Sequence, residues 1–289
     1  MTGILKELMT HRSSKFISLF LVFCLSISVF AFSASVAYAS SSGSAKYIAH
    51  RGWSWRAPEN TIPAFKLAAK KKGFYGIEFD VWEASYSSKR DPLLLVMHDQ
   101  NIYKMCGVNR DIRKIGRNTL KKYRIRNGYN ISKYKRLRIP TAEQALDAIY
   151  DNSIGAIPVI ELKHRLSKRA LKYLLKYLDG REAVIISFDF NAVADTVKMA
   201  KKLGISDSIQ TMYLMSWISG SYYSSTIRKM KSAGIGCVSI KYPYINRQTV
   251  KAFHKAKIEV SAWTLPDRST ARTYVNMGVD YITANGPVW

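Results

Sequence analysis

Four short stretches of this chain end in groups suited to phosphoryl chemistry. Tyr47-Ile48-Ala49 runs into His50-Arg51-Gly52, and Ile77-Glu78-Phe79-Asp80-Val81 carries two carboxylates. Val96-Met97 runs into His98-Asp99, and Val159-Ile160 into Glu161-Leu162-Lys163. Cleaving a phosphodiester needs a base on the attacking oxygen and an acid on the departing alkoxide. Imidazole titrates near neutrality, so His50 and His98 can divide those tasks, in an order the sequence leaves open. Arg51 and Lys163 supply positive charge for the non-bridging oxygens, and Arg can bind two at once.

Glu78 and Asp80 stand two apart on a predicted strand, so both face the same side. Two carboxylates on a core face repel one another and lack solvation unless a cation lies between them. Glu161 offers a third oxygen, and an oxygen-only set favours Mg2+ or Ca2+ over Zn2+. A plainer reading leaves one carboxylate in solvent and turns Arg51 and Lys163 into structural ion-pair partners. Glu59 and Asn60, in a turn after Pro58, are expected to order the loop behind His50; Glu59 is also a weaker candidate for direct catalysis. Trp53, Trp55 and Trp263 either wall a pocket or simply pack. His164 should point away from Lys163, and His254 reads as a surface residue on a helix.

Holding such groups at one place requires many strand ends at one rim. Apolar runs alternate with Lys-rich amphipathic segments along the chain, the pattern of an α/β fold with a parallel sheet. Strands are expected at 47–50, 76–81, 93–97, 157–162, 183–187, 209–214, 236–240, 258–263 and 280–283. Helices are expected near 61–72, 141–151, 167–178, 191–202, 222–233, 247–256 and 268–277, with Asn191 and Asp267 as caps for two of them. The 244 residues from Lys46 to Trp289 fit one (β/α)8 barrel of about 250 residues. Nine strands then compete for eight places, the surplus being 93–97 or 280–283. The gap from Trp82 to Pro92 is too short for a crossover helix, so an irregular, extended return is expected there. In a barrel the catalytic groups sit at the strand ends, where His50 and His98 fall.

The first 39 residues read as a signal peptide: Lys6, Arg12 and Lys15, then an apolar stretch, then Ala37-Tyr38-Ala39. An uncleaved membrane anchor is the alternative, because no charge lies between Lys15 and Lys46, room for the ~20 apolar residues of a span. Residues 40–45 form a linker, and 46–289 the catalytic domain. Three of the 45 Lys/Arg and one of the 20 Asp/Glu fall in residues 1–39, which leaves 42 against 19, a charge of +23. Residues 99–139 hold 13 of those cations against Asp99 and Asp111, with Tyr103, Tyr123, Tyr129 and Tyr134 interspersed. That basic excursion after the third strand is either solvated surface or a rim that steers anions toward His98. Cys106 and Cys237 remain after the leader, and their pairing is not legible.

Taken together, the motifs resemble those of the glycerophosphodiester phosphodiesterase family. The matching pieces are His50-Arg51-Gly52, Pro58-Glu59-Asn60-Thr61 with Ala64-Phe65, Glu78-x-Asp80-Val81, His98-Asp99 and Glu161-Leu162-Lys163, then Ala262-Trp263-Thr264 and Gly278-Val279-Asp280-Tyr281-Ile282-Thr283. The resemblance spans about residues 46–287. It implies a TIM barrel with one divalent cation, Ca2+ or Mg2+, held by Glu78, Asp80 and Glu161. It further implies His50 and His98 as the acid/base pair, Arg51 and Lys163 on the phosphate, and release of glycerol 3-phosphate and an alcohol. Departures fall after His98-Asp99, where Tyr103-Lys104-Met105-Cys106-Gly107 replaces an Arg-Thr-Thr-like stretch, at Ser85–Asp91, and at Thr283-Ala284. They touch the pocket for the leaving alcohol and spare the proposed metal and acid/base residues.

The expected partner is therefore a glycerophosphodiester, with an anionic wall polymer or membrane surface as a further partner of so basic an exported protein. Three rival readings stand beside it. They are a phosphodiesterase of poly(glycerol phosphate) such as teichoic acid, a phospholipase D-like lipid phosphodiesterase, and a non-catalytic polymer binder. Nucleic acid is not expected, since no recognised motif appears.

Overall fold

The computed structural model describes residues 45–85 and 91–289. The expected leader at 1–39, the linker up to residue 44 and the segment 86–90 lie outside the described residues.

The strands are β1 (Lys46–Ala49), β2 (Phe74–Glu83), β3 (Leu94–Val96), β4 (Ile157–Leu162), β5 (Ala183–Ser187), β6 (Ile209–Met215), β7 (Cys237–Lys241), β8 (Glu259–Leu265) and β9 (Tyr281–Ala284). Eight run parallel in the order β1-β9-β8-β7-β6-β5-β4-β2, and pairing of β1 with β2 closes the ring. The competition among nine strands is thereby resolved. β9 is the eighth stave, and β3 is the surplus, an antiparallel strand folded back on β2 with Val96 opposite Val81. After Trp82 the chain thus turns back in a short hairpin on the end of β2, and the crossover to β4 is completed later by the helix Ala142–Tyr150.

Helices flank the ring: α1 (Ile62–Ala69), α2 (Tyr103–Cys106), α3 (Arg117–Leu120), α4 (Ala142–Tyr150), α5 (Lys168–Leu178), α6 (Phe190–Leu203), α7 (Tyr223–Ala233), α8 (Arg247–Lys255) and α9 (Arg268–Met277). Asp267 caps α9 by accepting from the Thr270 N–H at 2.8 Å, as expected. Asn191 does not cap α6. Asp189 does, and the Asn191 N–H is one of the groups it satisfies, at 2.8 Å. The expected cap was therefore placed two residues too late.

Alternation along β2 sorts its side chains. Ile77, Phe79 and Val81 join the outer core against the helices, so Gly76, Glu78 and Asp80 face the barrel interior. A Cβ on Gly76 would lie 2.6 Å from Val159 Cγ2, so only glycine fits that layer. The interior is filled by Ile48, Val159, Val184, Met212, Cys237 and Tyr281. This apolar plug closes the lower barrel and leaves the charged residues gathered above it.

The basic stretch 99–139 has solvated charges over a core of its own. Ile102, Met105, Cys106, Ile112, Ile125 and Ile139 form a buried cluster with Trp82, Leu93 and Leu95, and the Lys and Arg side chains decorate its outside. This insertion leans on the β1–α1 loop: Asn130 Nδ2 and the Tyr134 hydroxyl both donate to the Arg56 carbonyl, at 3.3 and 3.4 Å. Cys106 lies in this cluster and Cys237 in the barrel interior, so both are free and buried.

Candidate active site

Strand register does the assembling. Pairing of Ala49 with Ala284 brings the next residues, His50 and Asn285, level at the rim. Their side chains meet, His50 Nδ1 to Asn285 Oδ1, at 2.7 Å. An amide oxygen only accepts, so Nδ1 carries the proton and Nε2 keeps a lone pair. Burial, then the Arg51 charge, pushes His50 down to about 4, so its imidazole is neutral near pH 7.

Arg51 and Gly52 both adopt the left-handed backbone, at φ 56° and 75°. That turn folds the chain over the strand end and aims two N–H groups at Glu78. Arg51 N donates to Glu78 Oε2 at 2.6 Å, and Gly52 N to the Glu78 carbonyl at 3.0 Å. A Cβ on Gly52 would lie 2.7 Å from the backbone of Ala64, so the turn requires glycine on two counts. Asn60 is also left-handed, at φ 57°, and is over-determined by its partners. Its Nδ2 donates to Asp80 Oδ2 at 2.7 Å, and its Oδ1 accepts from Asp80 N at 3.2 Å.

Register also sets Asp80 beside Glu161 across β2 and β4. Glu78, Asp80 and Glu161 are all buried, and each offers an oxygen within 4.8 Å of the others. Arg51 Nε lies 3.5 Å from Asp80 Oδ2, and Lys163 Nζ lies 3.3 Å from Asp80 Oδ1 and 2.7 Å from Glu161 Oε1. The ion-pair reading of these cations is what the contacts show: both neutralise the carboxylates. Glu59 Oε1 accepts from Arg51 Nη1 at 2.9 Å. Its place is behind the guanidinium, which it aims.

His98 follows the hairpin strand β3, and the Met97 N–H fixes it there by donating to the Asp80 carbonyl at 3.1 Å. His98 Nδ1 meets Asp99 Oδ1 at 2.6 Å, with the imidazole about a third exposed, at 33%. The charge of His98 is felt at both His50 and Asp80, so the two imidazoles share one site. Lys104, from the insertion, stands 3.9 Å from Glu59 and 4.0 Å from Asp99. Trp263 packs on the interior cluster at the end of β8, its ring edge-on to Phe188 with centroids 5.5 Å apart. Trp53 packs against the outer core beside Phe74, and Trp55 is partly exposed on the loop after β1. His164 stacks on Trp82, turned from Lys163, and His254 bonds Asp280 on the outer surface of α8.

Two participants were not anticipated as such. Asn285 is the first residue beyond the last strand, the same station that His50 occupies after β1, and that symmetry was its only signal. Asp99 was visible as a neighbour of His98, but nothing in the sequence fixed its side chain on Nδ1.

The three carboxylates fit a cation. Glu78 Oε1 is buried without a hydrogen-bond partner, and Asp80 Oδ1 has only its ion-pair contact with Lys163; such buried oxygens are costly to leave under-satisfied. Burial, then Asp80, pushes Glu161 up to about 7, and the same two causes raise Glu78 well above its usual range. Burial opposes the charge on Asp80, but Lys163 and Arg51 hold it below the usual carboxylate range. An acid whose folded pKa is raised stabilises the fold below its unfolded value, near 4.5, and loses that contribution as pH climbs through about 7. The metal-free protein should therefore melt lower at pH 8 than at pH 5, by roughly 3–10 °C. Added Ca2+ or Mg2+ should restore the midpoint at pH 8 and do little at pH 5. Melting curves that ignore the cation at pH 8 would remove it from the site.

Paired imidazoles, paired cations and a buried carboxylate cluster at the strand ends of a (β/α)8 barrel define a phosphoric diester hydrolase. The sequence pattern of the glycerophosphoryl diester phosphodiesterase family matches residues 50–288, and the chain belongs to that family as an enzyme of its activity. A glycerophosphodiester phosphodiesterase of Caldanaerobacter subterraneus is 26% identical over 246 residues, covering 83% of this chain and 93% of the relative. A provisionally named glycerophosphodiester phosphodiesterase of Bacillus subtilis is 28% identical over 243 residues, 83% of this chain and 94% of the relative. Among solved structures, a phosphodiesterase of Oleispira antarctica in complex with its product sn-glycerol-3-phosphate shares the fold. Its TM-score is 0.68 at 23% identity, over 84% of this chain and 94% of that one.

Proposed function

We propose that the enzyme hydrolyses glycerophosphodiesters to glycerol 3-phosphate and an alcohol, with one divalent cation, His50 as general base and His98 as general acid. The observation that carries this is the contrast between the two imidazoles. His50 donates Nδ1–H to a neutral amide oxygen and is kept uncharged by burial and Arg51, leaving Nε2 free to take a proton. His98 instead presents Nδ1 to the Asp99 carboxylate at 2.6 Å, a contact that orients the ring and leaves Nε2 to pass a proton to the leaving group.

Glu78, Asp80 and Glu161 would hold the cation. When bound, it would polarise the phosphoryl group and offset the charge that grows in the transition state. Arg51, aimed by Glu59, and Lys163 would turn from the carboxylates to the non-bridging oxygens. His50 then removes the proton from the attacking oxygen, whether of water or of a neighbouring glycerol hydroxyl. The P–O bond to the leaving alcohol breaks as His98 delivers a proton to that alkoxide. Trp263 and Phe188 flank the side from which the alcohol departs.

The leader at 1–39 and the charge of the remaining chain support export, with catalysis by residues 46–289 outside the membrane or in the envelope. The test is release of glycerol 3-phosphate by residues 40–289 from glycerophosphocholine, glycerophosphoethanolamine and glycerophosphoglycerol. Release that EDTA abolishes and Ca2+ or Mg2+ restores is expected. Full turnover in EDTA would remove the cation from the reaction.

A further inference from the structure

The exposed aromatic side chains of this molecule are not scattered. Trp55 follows β1, Phe188 follows β5, Trp217 and Tyr222 follow β6, and Tyr244 follows β7. Tyr103 and Tyr129 lie on the insertion after β3, which leans on the β1–α1 loop. Among the described residues every exposed aromatic therefore stands on the strand-end face, around the mouth of the catalytic cavity. The other exposed large apolar residues, Leu67, Val108 and Ile154, are isolated aliphatics of the kind any surface carries. Trp217, Tyr222 and Tyr244 are 53%, 51% and 47% exposed, which is unusual for rings that could have been buried. Trp217 and Tyr222 meet edge to face at 5.4 Å, and buried Ile218 fixes the loop beneath them.

We propose that this face docks on an anionic lipid bilayer, so that the catalytic mouth opens onto the membrane surface. Trp and Tyr combine an apolar ring with a polar edge and settle at the boundary between acyl chains and water. The insertion bordering this face holds 13 Lys and Arg against two Asp, and those at the mouth, such as Lys104 beside Asp99, complement acidic headgroups. The distribution of the rings selects this occupant over a linear polymer. A chain of sugars or glycerol phosphates lies in one groove, whereas these rings protrude from loops after β1, β3, β5, β6 and β7. A ring of protrusions matches a plane. Shallow insertion of aromatics together with basic side chains is how peripheral proteins hold a membrane without spanning it. Substrates would then reach His50 and His98 from the bilayer surface, as headgroups of single-chain glycerophospholipids.

The experiment uses the chain from residue 40 onward, which contains the whole closed barrel, in co-sedimentation with vesicles. Vesicles of phosphatidylglycerol with phosphatidylcholine are compared with phosphatidylcholine alone, for the wild type and for Trp217→Ser/Tyr222→Ser/Tyr244→Ser. The wild type should bind the anionic vesicles, and the triple variant should bind about tenfold or more weakly. Hydrolysis of soluble glycerophosphocholine should be unchanged in that variant. Trp217→Ser alone, a smaller change, should show a partial loss and guards against a folding defect in the triple variant. Failure of the wild type to bind anionic vesicles, or equal binding by the triple variant, overturns the proposal. So does a matching aromatic-dependent affinity for soluble poly(glycerol phosphate), which would make the occupant a polymer. Loss of soluble turnover in wild type and variant alike would strike the catalytic reading and leave the vesicle result to stand or fall separately.

Discussion

His50→Ala and His98→Ala should each lower kcat by ~10²–10⁴-fold without unfolding the barrel. The two losses should differ in kind. In the proposed mechanism His50 takes a proton from the nucleophile, a task that remains whatever the leaving group is. There His98 gives a proton to the alkoxide, a task that vanishes when the leaving group is a stable anion. A glycerophosphodiester of p-nitrophenol should therefore restore most of the rate of His98→Ala and little of His50→Ala. Equal rescue of both would reverse or dissolve the assignment, and wild-type turnover in both would end the two-histidine mechanism. Asp99→Asn belongs to the same series. Replacing the carboxylate that faces His98 Nδ1 at 2.6 Å with a neutral amide removes the group that orients the ring, and should lower kcat on ordinary diesters far more than on the p-nitrophenol diester.

Glu78→Gln should abolish cation-dependent turnover, a loss on the order of 10²–10⁴ if the ion supplies several kcal/mol to the transition state. Stability should move the opposite way. In the metal-free protein the Glu78 carboxyl is buried between Asp80 and Glu161, and both carboxylates disfavour its ionisation. A Gln amide still accepts from the Arg51 N–H, which donates to Glu78 Oε2 at 2.6 Å, and adds a donor toward the other two. Thermal melts in EDTA at pH 8 should show the variant a few degrees above the wild type, and added cation should no longer raise it. A variant that melts lower in EDTA would mean that Glu78 is a structural partner of Arg51 rather than one of three mutually repelling ligands. The pairing of gain and loss is the mark of a site held under electrostatic strain for function.

Much of this site was legible because the periodicity of a barrel is strict. Once β2 was read as a strand, the two-residue step from Glu78 to Asp80 put both on one face, and a similar step links Glu161 to Lys163. Apolar runs bounded every stave within a residue or two, since each is buried on both sides. What escaped was whatever depends on register between distant segments. The contact of His50 with Asn285 is set by β1 lying beside β9, 235 residues away, and no local pattern encodes it. The misplaced cap at Asn191 has a different origin. Asp and Asn compete on equal terms for that role, and the helix began one residue earlier than its apolar pattern suggested. The insertion's own core was not legible because its isoleucines are isolated among basic residues. They form a cluster only when Trp82, Leu93 and Leu95 are brought beneath them by the hairpin.

That hairpin divides the ownership of the chemistry. His50, Glu78, Asp80, Glu161 and Lys163 all sit on or directly beyond staves of the closed ring, whereas His98 and Asp99 hang from β3, outside it. The polypeptide between Val96 and Pro140, whose backbones are joined by a 2.9 Å hydrogen bond, leaves and rejoins the barrel at one point. It is a cassette with two adjacent joints, carrying His98, the proton donor of the proposed mechanism, with Asp99 and Lys104. Recombination between relatives at those joints would exchange half of the acid/base machinery together with the surface that meets the leaving alcohol, while the cation cluster and the base stayed with the host barrel.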